Sequence, residues 1–324
     1  MSANILLPLD GSGFSEHALP AALDLTRRLQ GRLHLVHVHE PPAALPPQGG
    51  LLVEAELGRA LRDREEQYLR DLAARCVAEA GVTPRTELLE GPVATALAGY
   101  SHDAGIDLVV MTTHGRGGIS RAWVGSVADA LLRRSAVPVL LLRPQEGKDS
   151  APPLACRHIL VTLDGSPLAE GILEPLALFT RLYQPRLSLL RVVPSLQVVT
   201  EPRSTVAVLS QDPAAVEHAV AAARDYLEGM AAPLRRRGLE VETAVQVHSV
   251  AAVAILDYAA THAVDTVAMA THGRGGWSRV ALGSVADKVM RGTLMPVILY
   301  RPPAALAELE RNGKRSLQAV EPAP

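Results

Sequence analysis

Residues 111–144 read MTTHGRGGISRAWVGSVADALLRRSAVPVLLLRP, and residues 269–302 read MATHGRGGWSRVALGSVADKVMRGTLMPVILYRP. The two stretches are identical at 20 of 34 positions without a gap. Each begins with the end of an apolar run, continues through a glycine-rich loop to GSVAD, and ends in a second apolar run. This order predicts strand, loop, helix and strand. The chain is therefore expected to contain one α/β domain twice.

A second repeated motif lies upstream of each of these stretches. ILLPLDGS ends at Ser12 and ILVTLDGS ends at Ser166. The two copies are offset by 154 residues at this motif and by 158 at the glycines, which indicates a small loop insertion in one copy. The length of 324 residues suits two domains of about 150 residues each. We predict domains at 1–146 and 157–303, with a linker at 147–156 and a flexible tail at 304–324.

Alternating apolar runs and longer amphipathic stretches predict β-α-β units around a parallel sheet in each half. Gly31 and Gly81 are expected to end the first two helices. Segment 41–50 is rich in proline and glycine, and segment 194–213 occupies the matching position in the other copy; both are expected to be flexible loops near the site. In the first half the predicted strands are 5–9, 33–38, 85–89, 108–111 and 139–142, and the predicted helices are 15–30, 54–80, 93–104 and 126–134.

Composition excludes several classes of protein. Hydrophobic residues make up 48% of the chain and aromatic residues only 3%, which favours aliphatic packing in parallel sheets. The formal charge of -2 argues against nucleic acid or an anionic membrane surface as the main partner. The two cysteines are too few for a disulfide framework. With no signal-like amino terminus and no apolar run of membrane-spanning length, we expect a cytoplasmic protein.

The loop THGRGG, followed by GSVAD at a helix start, carries the strongest chemical signal. Glycines permit close backbone approach to a ligand, and a helix amino terminus presents unpaired N–H groups with partial positive charge. This combination predicts a phosphate site. Asp10 and Asp164 end the first strands and are expected to face it, where each could bond a ribose hydroxyl or a divalent cation. The residues expected to line the two sites are Gly115, Gly125, Ser126 and Val127, and Gly273, Gly283, Ser284 and Val285.

A structural reading of the same loop stays open. Ser126 to Asp129, and Ser284 to Asp287, match a capping box that would stabilise a helix without any ligand. The sequence contains neither a Walker phosphate-binding loop nor GxGxxG at the first helix, which argues against Walker-type hydrolysis and a standard dinucleotide fold.

These motifs closely resemble the universal stress protein family, in a tandem two-domain form. Its nucleotide-binding members carry GxxG, nine residues and then G-S or G-T after the fourth strand, and nine residues separate Gly115 from Gly125 and Gly273 from Gly283. The resemblance implies two Rossmann-like, doubly wound domains of the adenine-nucleotide alpha-hydrolase type, each with a five-stranded parallel sheet in the order 3-2-1-4-5. It also implies ATP with Mg²⁺ or Mn²⁺ as ligand, and pairing of the domains through their last strands as an intramolecular pseudo-dimer, with or without further homodimerisation.

Carried over by motif position, the resemblance adds residues near the nucleoside. The first glycine of the family pattern is replaced by Thr112 in one copy and Ala270 in the other, which predicts weakened or altered binding. Pro8 of the first copy is replaced by Thr162 in the second, so the two sites are expected to differ in nucleotide binding. The added residues are Pro8 and Val38 in the first copy and Thr162 and Val192 in the second. In the glycine loops, Arg116 and Arg274 could reach the phosphates, and Gly118 and Gly276 are counted with the predicted nucleotide-binding residues.

Other polar residues have simpler readings. His34, His37 and His39 lie on one predicted strand, and two of them share a face, but ordinary strand histidines are more common than a metal site there. We predict no metal-ligating side chains and no catalytic residue. His114 and His272 are expected to shape the glycine loop.

Three functions remain open at this point. The first is a stress-associated, ATP-binding regulator with an unknown protein partner. The second is a slow ATPase or a nucleotidyl-transfer enzyme, which would need a catalytic base that the sequence does not identify. The third is a stress scaffold that binds no nucleotide. The duplicated phosphate site favours the first, with at most weak hydrolysis.

Overall fold

The structure is a computed structural model that describes residues 2–40, 51–113, 125–144, 154–195, 197–200, 207–210, 213–271 and 283–303. The chain divides into two compact units, Met1–Leu154 and Ala155–Pro324. Within the described ranges no helix is both long and apolar enough to cross a bilayer.

The first unit contains a five-stranded parallel sheet in the order β3-β2-β1-β4-β5. The predicted fold class and strand order are therefore confirmed, and every predicted strand lies within an observed one. The elements in chain order are β1 (Asn4–Leu9), α1 (Gly13–Glu16), α2 (Leu19–Leu29), β2 (Arg32–His39), α3 (Leu51–Ala80), β3 (Arg85–Glu90), α4 (Val93–Asp103), β4 (Leu108–Thr112), α5 (Ser126–Arg134) and β5 (Val139–Leu142).

The second unit repeats this order as β10-β7-β6-β11-β12, again with parallel pairs. It adds an antiparallel pair, β8 with β9, in the segment expected to be a flexible loop, so that expectation was wrong. The elements are β6 (His158–Thr162), α6 (Pro167–Glu170), α7 (Leu173–Tyr183), β7 (Arg186–Val193), β8 (Gln197–Thr200), β9 (Ala207–Ser210), α8 (Pro213–Arg236), β10 (Val241–Val247), α9 (Ala251–Thr261), β11 (Thr266–Ala270), α10 (Ser284–Gly292) and β12 (Val297–Tyr300).

The central strands are apolar because helices cover both of their faces. In β4 and β5 every residue is buried, whereas in β3 three residues are exposed and three are partly buried. Both cysteines are buried packing residues, Cys76 on α3 and Cys156 just before β6. The apolar part of this sheet thus lies at β4 and β5, and its exposed end is β3.

Two details at the ends of the first helices differ from the predictions. The predicted helix 15–30 is broken into α1 and α2, because Pro20 stands in the first turn of α2 and has no N–H to continue α1. Gly81 follows α3 with a positive φ of 65°, as predicted for a helix stop. At the end of α2, however, Gln30 takes the left-handed conformation, and Gly31 is required because a Cβ there would meet the carbonyl oxygen of Ala3.

Candidate functional site

The carboxyl edge of each sheet contains the point at which strand order reverses. In the first unit β1 lies between β2 and β4, and the chain leaves β1 and β4 toward opposite sides of the order. Asp10 directly follows β1, and Thr113 directly follows β4. In the second unit Asp164 and Thr271 lie at the equivalent ends of β6 and β11. This is the location at which doubly wound sheets bind ligands.

A short backbone contact fixes the start of α5 at this edge. The Gly125 amide donates a hydrogen bond of 2.7 Å to the Thr113 carbonyl, and the Gly283 amide donates an equally long one to Thr271. A Cβ on Gly125 would lie 2.9 Å from the Thr113 oxygen, and one on Gly283 would lie 2.7 Å from that of Thr271. Both glycines have negative φ, -50° and -54°. They are therefore required by close backbone approach and not by a left-handed conformation.

The N-cap residues of α5 and α10 provide no side-chain cap. Gly125 and Gly283 occupy the N-cap positions, so Ser126 and Ser284 are the first helical residues and the predicted capping boxes are not formed. Both serines are exposed at this edge. Each helix is anchored by a buried face, which in α5 consists of Ala128, Leu131 and Leu132. The first N–H groups of such a helix have no intrahelical acceptor, so its end attracts an anion.

The two aspartates support the turns that follow the first strands. Asp10 Oδ1 accepts hydrogen bonds from the Ser12 amide at 2.9 Å and the Ser12 hydroxyl at 2.6 Å. Asp164 makes the same two bonds with Ser166, at the same distances. The intervening glycines, Gly11 and Gly165, have φ of 76° and 84°. One carboxylate oxygen of each aspartate is thus engaged in an Asx turn, and both carboxylates are half-buried.

A tyrosine and a glutamate beside each aspartate were missed by the sequence analysis. In the second unit Tyr226 donates to Glu170 Oε1 at 3.1 Å. Burial raises the pKa of Tyr226, and the Glu170 and Asp164 carboxylates raise it further. In the first unit burial likewise raises the pKa of Tyr68, with further contributions from Glu16 and Asp10. The tyrosines are 158 residues apart, like the glycines, so the repeat offset was a signal that could have identified them.

The remaining predicted residues divide into two groups. Pro8 and Val38 lie near the carboxyl ends of β1 and β2, and Thr162 and Val192 lie at the corresponding positions of β6 and β7. The structure thus brings these four residues to the same edges as the aspartates and the helix starts. Val127 and Val285 are the second residues of α5 and α10. Residues outside the described ranges are Gly115, Arg116, Gly118, Gly273, Arg274 and Gly276, together with His114 and His272.

The three histidines of β2 point to two sides of the strand. His37 Nε2 and His39 Nδ1 lie 3.4 Å and 2.7 Å from the two carboxylate oxygens of Glu65 on α3. His34 instead contacts Tyr100. In the part of the chain that the structure describes, no group of three or more His, Cys, Asp or Glu side chains is arranged to hold a metal ion.

Comparison with known proteins identifies the family. The model of the universal stress protein family matches residues 1–143 and again 155–301, so the chain belongs to this family as two tandem domains. Universal stress protein MJ0531 of Methanocaldococcus jannaschii is 29% identical over 141 residues, covering 43% of this chain and 81% of that protein. A universal stress protein of Mycolicibacterium smegmatis is 26% identical over 302 residues, covering 92% and 97%.

A solved structure agrees with the fold of the whole chain. The crystal structure of a universal stress protein from Archaeoglobus fulgidus aligns with a TM-score of 0.64 at 20% identity, covering 93% of this chain and 97% of that one. At this level of identity the likeness concerns the fold. The tandem arrangement and the strand order therefore follow from both sequence and structure.

Proposed function

We propose that each unit binds the phosphate chain of ATP at the carboxyl edge of its sheet, and that the protein is a nucleotide-responsive regulator. The observation that carries this proposal is the uncapped start of α5, held against the end of β4 by the Gly125–Thr113 contact and repeated in α10. A capping side chain would occupy the first amides of the helix. With glycine at the N-cap, these amides remain directed toward a ligand at the strand ends.

The aspartates define where the nucleoside would lie. Asp10 and Asp164 stand beside the helix starts at the reversal point, where their carboxylates would face a ribose hydroxyl or an ATP-bound Mg²⁺. Pro8 and Val38 would flank the base in the first unit, and Thr162 and Val192 in the second. Membership of the universal stress protein family supports this assignment, because the glycine spacing matches that of its nucleotide-binding members.

Binding without efficient turnover is the favoured mechanism. Hydrolysis requires a group that positions and activates water beside the terminal phosphate. One oxygen of Asp10 is already engaged by Ser12, and burial raises the pKa of the neighbouring Tyr68, which disfavours its phenolate as a base. A regulator needs only that ATP binds one conformation or assembly more tightly than another.

Charge at the first helical residue provides a direct test. Ser126→Asp and Ser284→Asp, singly and together, place a carboxylate at each helix start. An acidic residue there favours the helix by about 0.3–1 kcal/mol, whereas it repels phosphate. We expect each single change to lower ATP affinity at its own site by roughly tenfold or more, without a loss of thermal stability. Titration calorimetry with Mg-ATP on nucleotide-stripped protein would measure affinity and stoichiometry.

The matched controls are Ser126→Asn and Ser284→Asn, which have the same shape as aspartate without its charge. These variants should bind ATP within a few-fold of the unaltered protein. Equal ATP affinity in the Asp and Asn variants would contradict the proposed phosphate position. Absence of ATP binding by the unaltered protein would support the scaffold alternative, and steady phosphate release would support the ATPase alternative.

A further inference from the structure

A pocket of about 360 Å³ lies at the opposite, amino edge of the first unit's sheet. It is lined by residues at the beginnings of β1, β2 and β3 and by the loops that lead into β3 and β4. The lining includes two arginines, Arg32 and Arg85, and the buried His34. Its remaining lining residues are Asn4, Thr83, Pro84 and Ala104. The pocket is therefore cationic and separate from the carboxyl edge.

At the same location in the second unit, the hydrogen-bond donors bond to a carboxylate of the protein itself. In register, Ser188 of β7 pairs with Glu242 of β10, as His34 of β2 pairs with Arg85 of β3. The Glu242 carboxylate accepts hydrogen bonds from Ser188, from Arg186 and, at 3.3 Å, from the Tyr258 hydroxyl. Burial alone would raise the pKa of Glu242, but these bonds outweigh it and lower that pKa. Glu242 is the anion of this cluster.

In the first unit the anion is replaced by a cation. Arg32 is the equivalent of Arg186, and Tyr100 is the equivalent of Tyr258, but Arg85 stands where the second unit has Glu242. Arg85 pairs with Glu87 at 3.3 Å on the exposed side, and its guanidinium lies 6.0 Å from the centre of the Tyr100 ring. The donors of the cluster have thus been retained while its carboxylate has been exchanged for a second positive charge.

His34 carries the most direct sign of a missing hydrogen-bond partner. Its side chain is 4% exposed, and its Nδ1 lies 2.8 Å from the Tyr100 hydroxyl. Its Nε2 is buried without a hydrogen-bond partner. Burial lowers the pKa of His34, and Arg85 and Arg32 lower it further, so the ring is neutral at physiological pH. In the tautomer in which Tyr100 donates to Nδ1, the Nε2 atom carries the proton and is a buried donor that an oxyanion could accept from.

We propose that this pocket binds a small ligand through an oxyanion group, a phosphate or a carboxylate. The oxyanion would take the part that the Glu242 carboxylate plays in the second unit and would accept from Arg32, Arg85 and His34 Nε2. Guanidinium groups suit both anions, because their paired N–H donors match the spacing of two oxygens. The Asn4 amide already bonds the carbonyls of Ala104 and Gly105 at 3.3 Å and 3.0 Å, and so forms the wall of the pocket.

The His34 ring provides a site-specific probe in the full chain. Inorganic phosphate and succinate would be titrated separately into histidine-labelled protein, and the imidazole resonances of His34 followed by NMR. We expect saturable shifts of these resonances with at least one probe. The probe that binds more tightly identifies the oxyanion. Because the readout belongs to His34, it does not depend on nucleotide binding at the carboxyl edge.

The decisive variant is Arg85→Glu, which copies the second unit. The Arg85 side chain is 63% exposed, so the change is expected to be tolerated. The new carboxylate would accept hydrogen bonds from the neighbouring donors in place of a ligand. The apparent Kd for the oxyanion should rise by roughly tenfold or more. Arg85→Gln provides a milder second variant. Arg70→Glu, which alters the same charge on the exposed face of α3, should leave the Kd unchanged. Unmoved His34 resonances with both probes, or equal affinity in Arg85→Glu and Arg70→Glu, would overturn the proposal.

Discussion

The amide of Gly125 lies 2.7 Å from the carbonyl oxygen of Thr113, which leaves no room for a side chain between the end of β4 and the start of α5. The same contact joins Gly283 to Thr271 in the second unit. The glycine that precedes the candidate phosphate site therefore has a structural requirement of its own. A ligand-binding role must be tested at a neighbouring residue, which is why the charge test uses Ser126.

Alanine at Gly125 should destabilise the first unit. Its Cβ would lie 2.9 Å from a backbone oxygen that cannot move without disturbing β4. Overpacking of this kind costs about 1–3 kcal/mol. Gly125→Ala should therefore lower the urea midpoint of unfolding, followed by circular dichroism.

Gly58→Ala is the matched control for this change. Gly58 lies within α3, and a Cβ there would meet nothing within 4 Å. The substitution should raise stability by about 0.5–1 kcal/mol through helix propensity. If Gly125→Ala were as stable as Gly58→Ala, the close approach at Thr113 would not be a constraint in solution.

The Asp10 turn makes a separate prediction. Because Asp10 Oδ1 accepts from both the amide and the hydroxyl of Ser12, Asp10→Ala removes the acceptor for two donors. The expected loss is about 1–2 kcal/mol of stability. Asp10→Asn retains an acceptor oxygen and should stay close to the unaltered protein in chemical denaturation. Equal stability of the Ala and Asn variants would show that the turn does not depend on this side chain.

The sequence predicted the fold well because its main signals are local and repeated. Apolar runs identified the strands, and the duplicated glycine motif located the helix starts at Ser126 and Ser284. The capping box was wrong because sequence spacing alone cannot tell whether Ser126 is the N-cap or the first helical residue. That distinction depends on the contact between Gly125 and Thr113, which are twelve residues apart.

Residues distant in the chain were the ones that sequence patterns did not identify. Tyr68 reaches the Asp10 turn from α3, and Arg85 reaches His34 from the neighbouring strand. Each pair becomes visible only when the strand order and register are known. The substitution of Glu242 by Arg85 between the two copies is likewise hidden in sequence, because β3 and β10 are among the least similar strands of the repeat.

The charge of the amino-edge pocket predicts how His34 titrates. Burial, together with Arg85 and Arg32, lowers the pKa of His34, while Glu87 acts weakly in the opposite direction. Arg85→Glu replaces a positive charge, which lowers the pKa of His34, by a negative charge, which raises it. In that variant the pKa of His34, measured by NMR titration of the imidazole resonances, should be higher than in the unaltered protein. Arg70→Glu should leave it unchanged.

The lowered pKa of His34 also makes the stability of the first unit depend on pH. A histidine with a lowered pKa binds fewer protons in the folded state than in the unfolded chain, where its pKa is about 6.5. The contribution of His34 to the free energy of unfolding is therefore fully present above pH 6.5 and declines as the pH falls through that value toward the folded pKa. His34→Gln should make the stability of the first unit less dependent on pH between about 7 and 5. An unaltered pH dependence in His34→Gln would contradict the assignment of His34 as a buried neutral histidine at this edge.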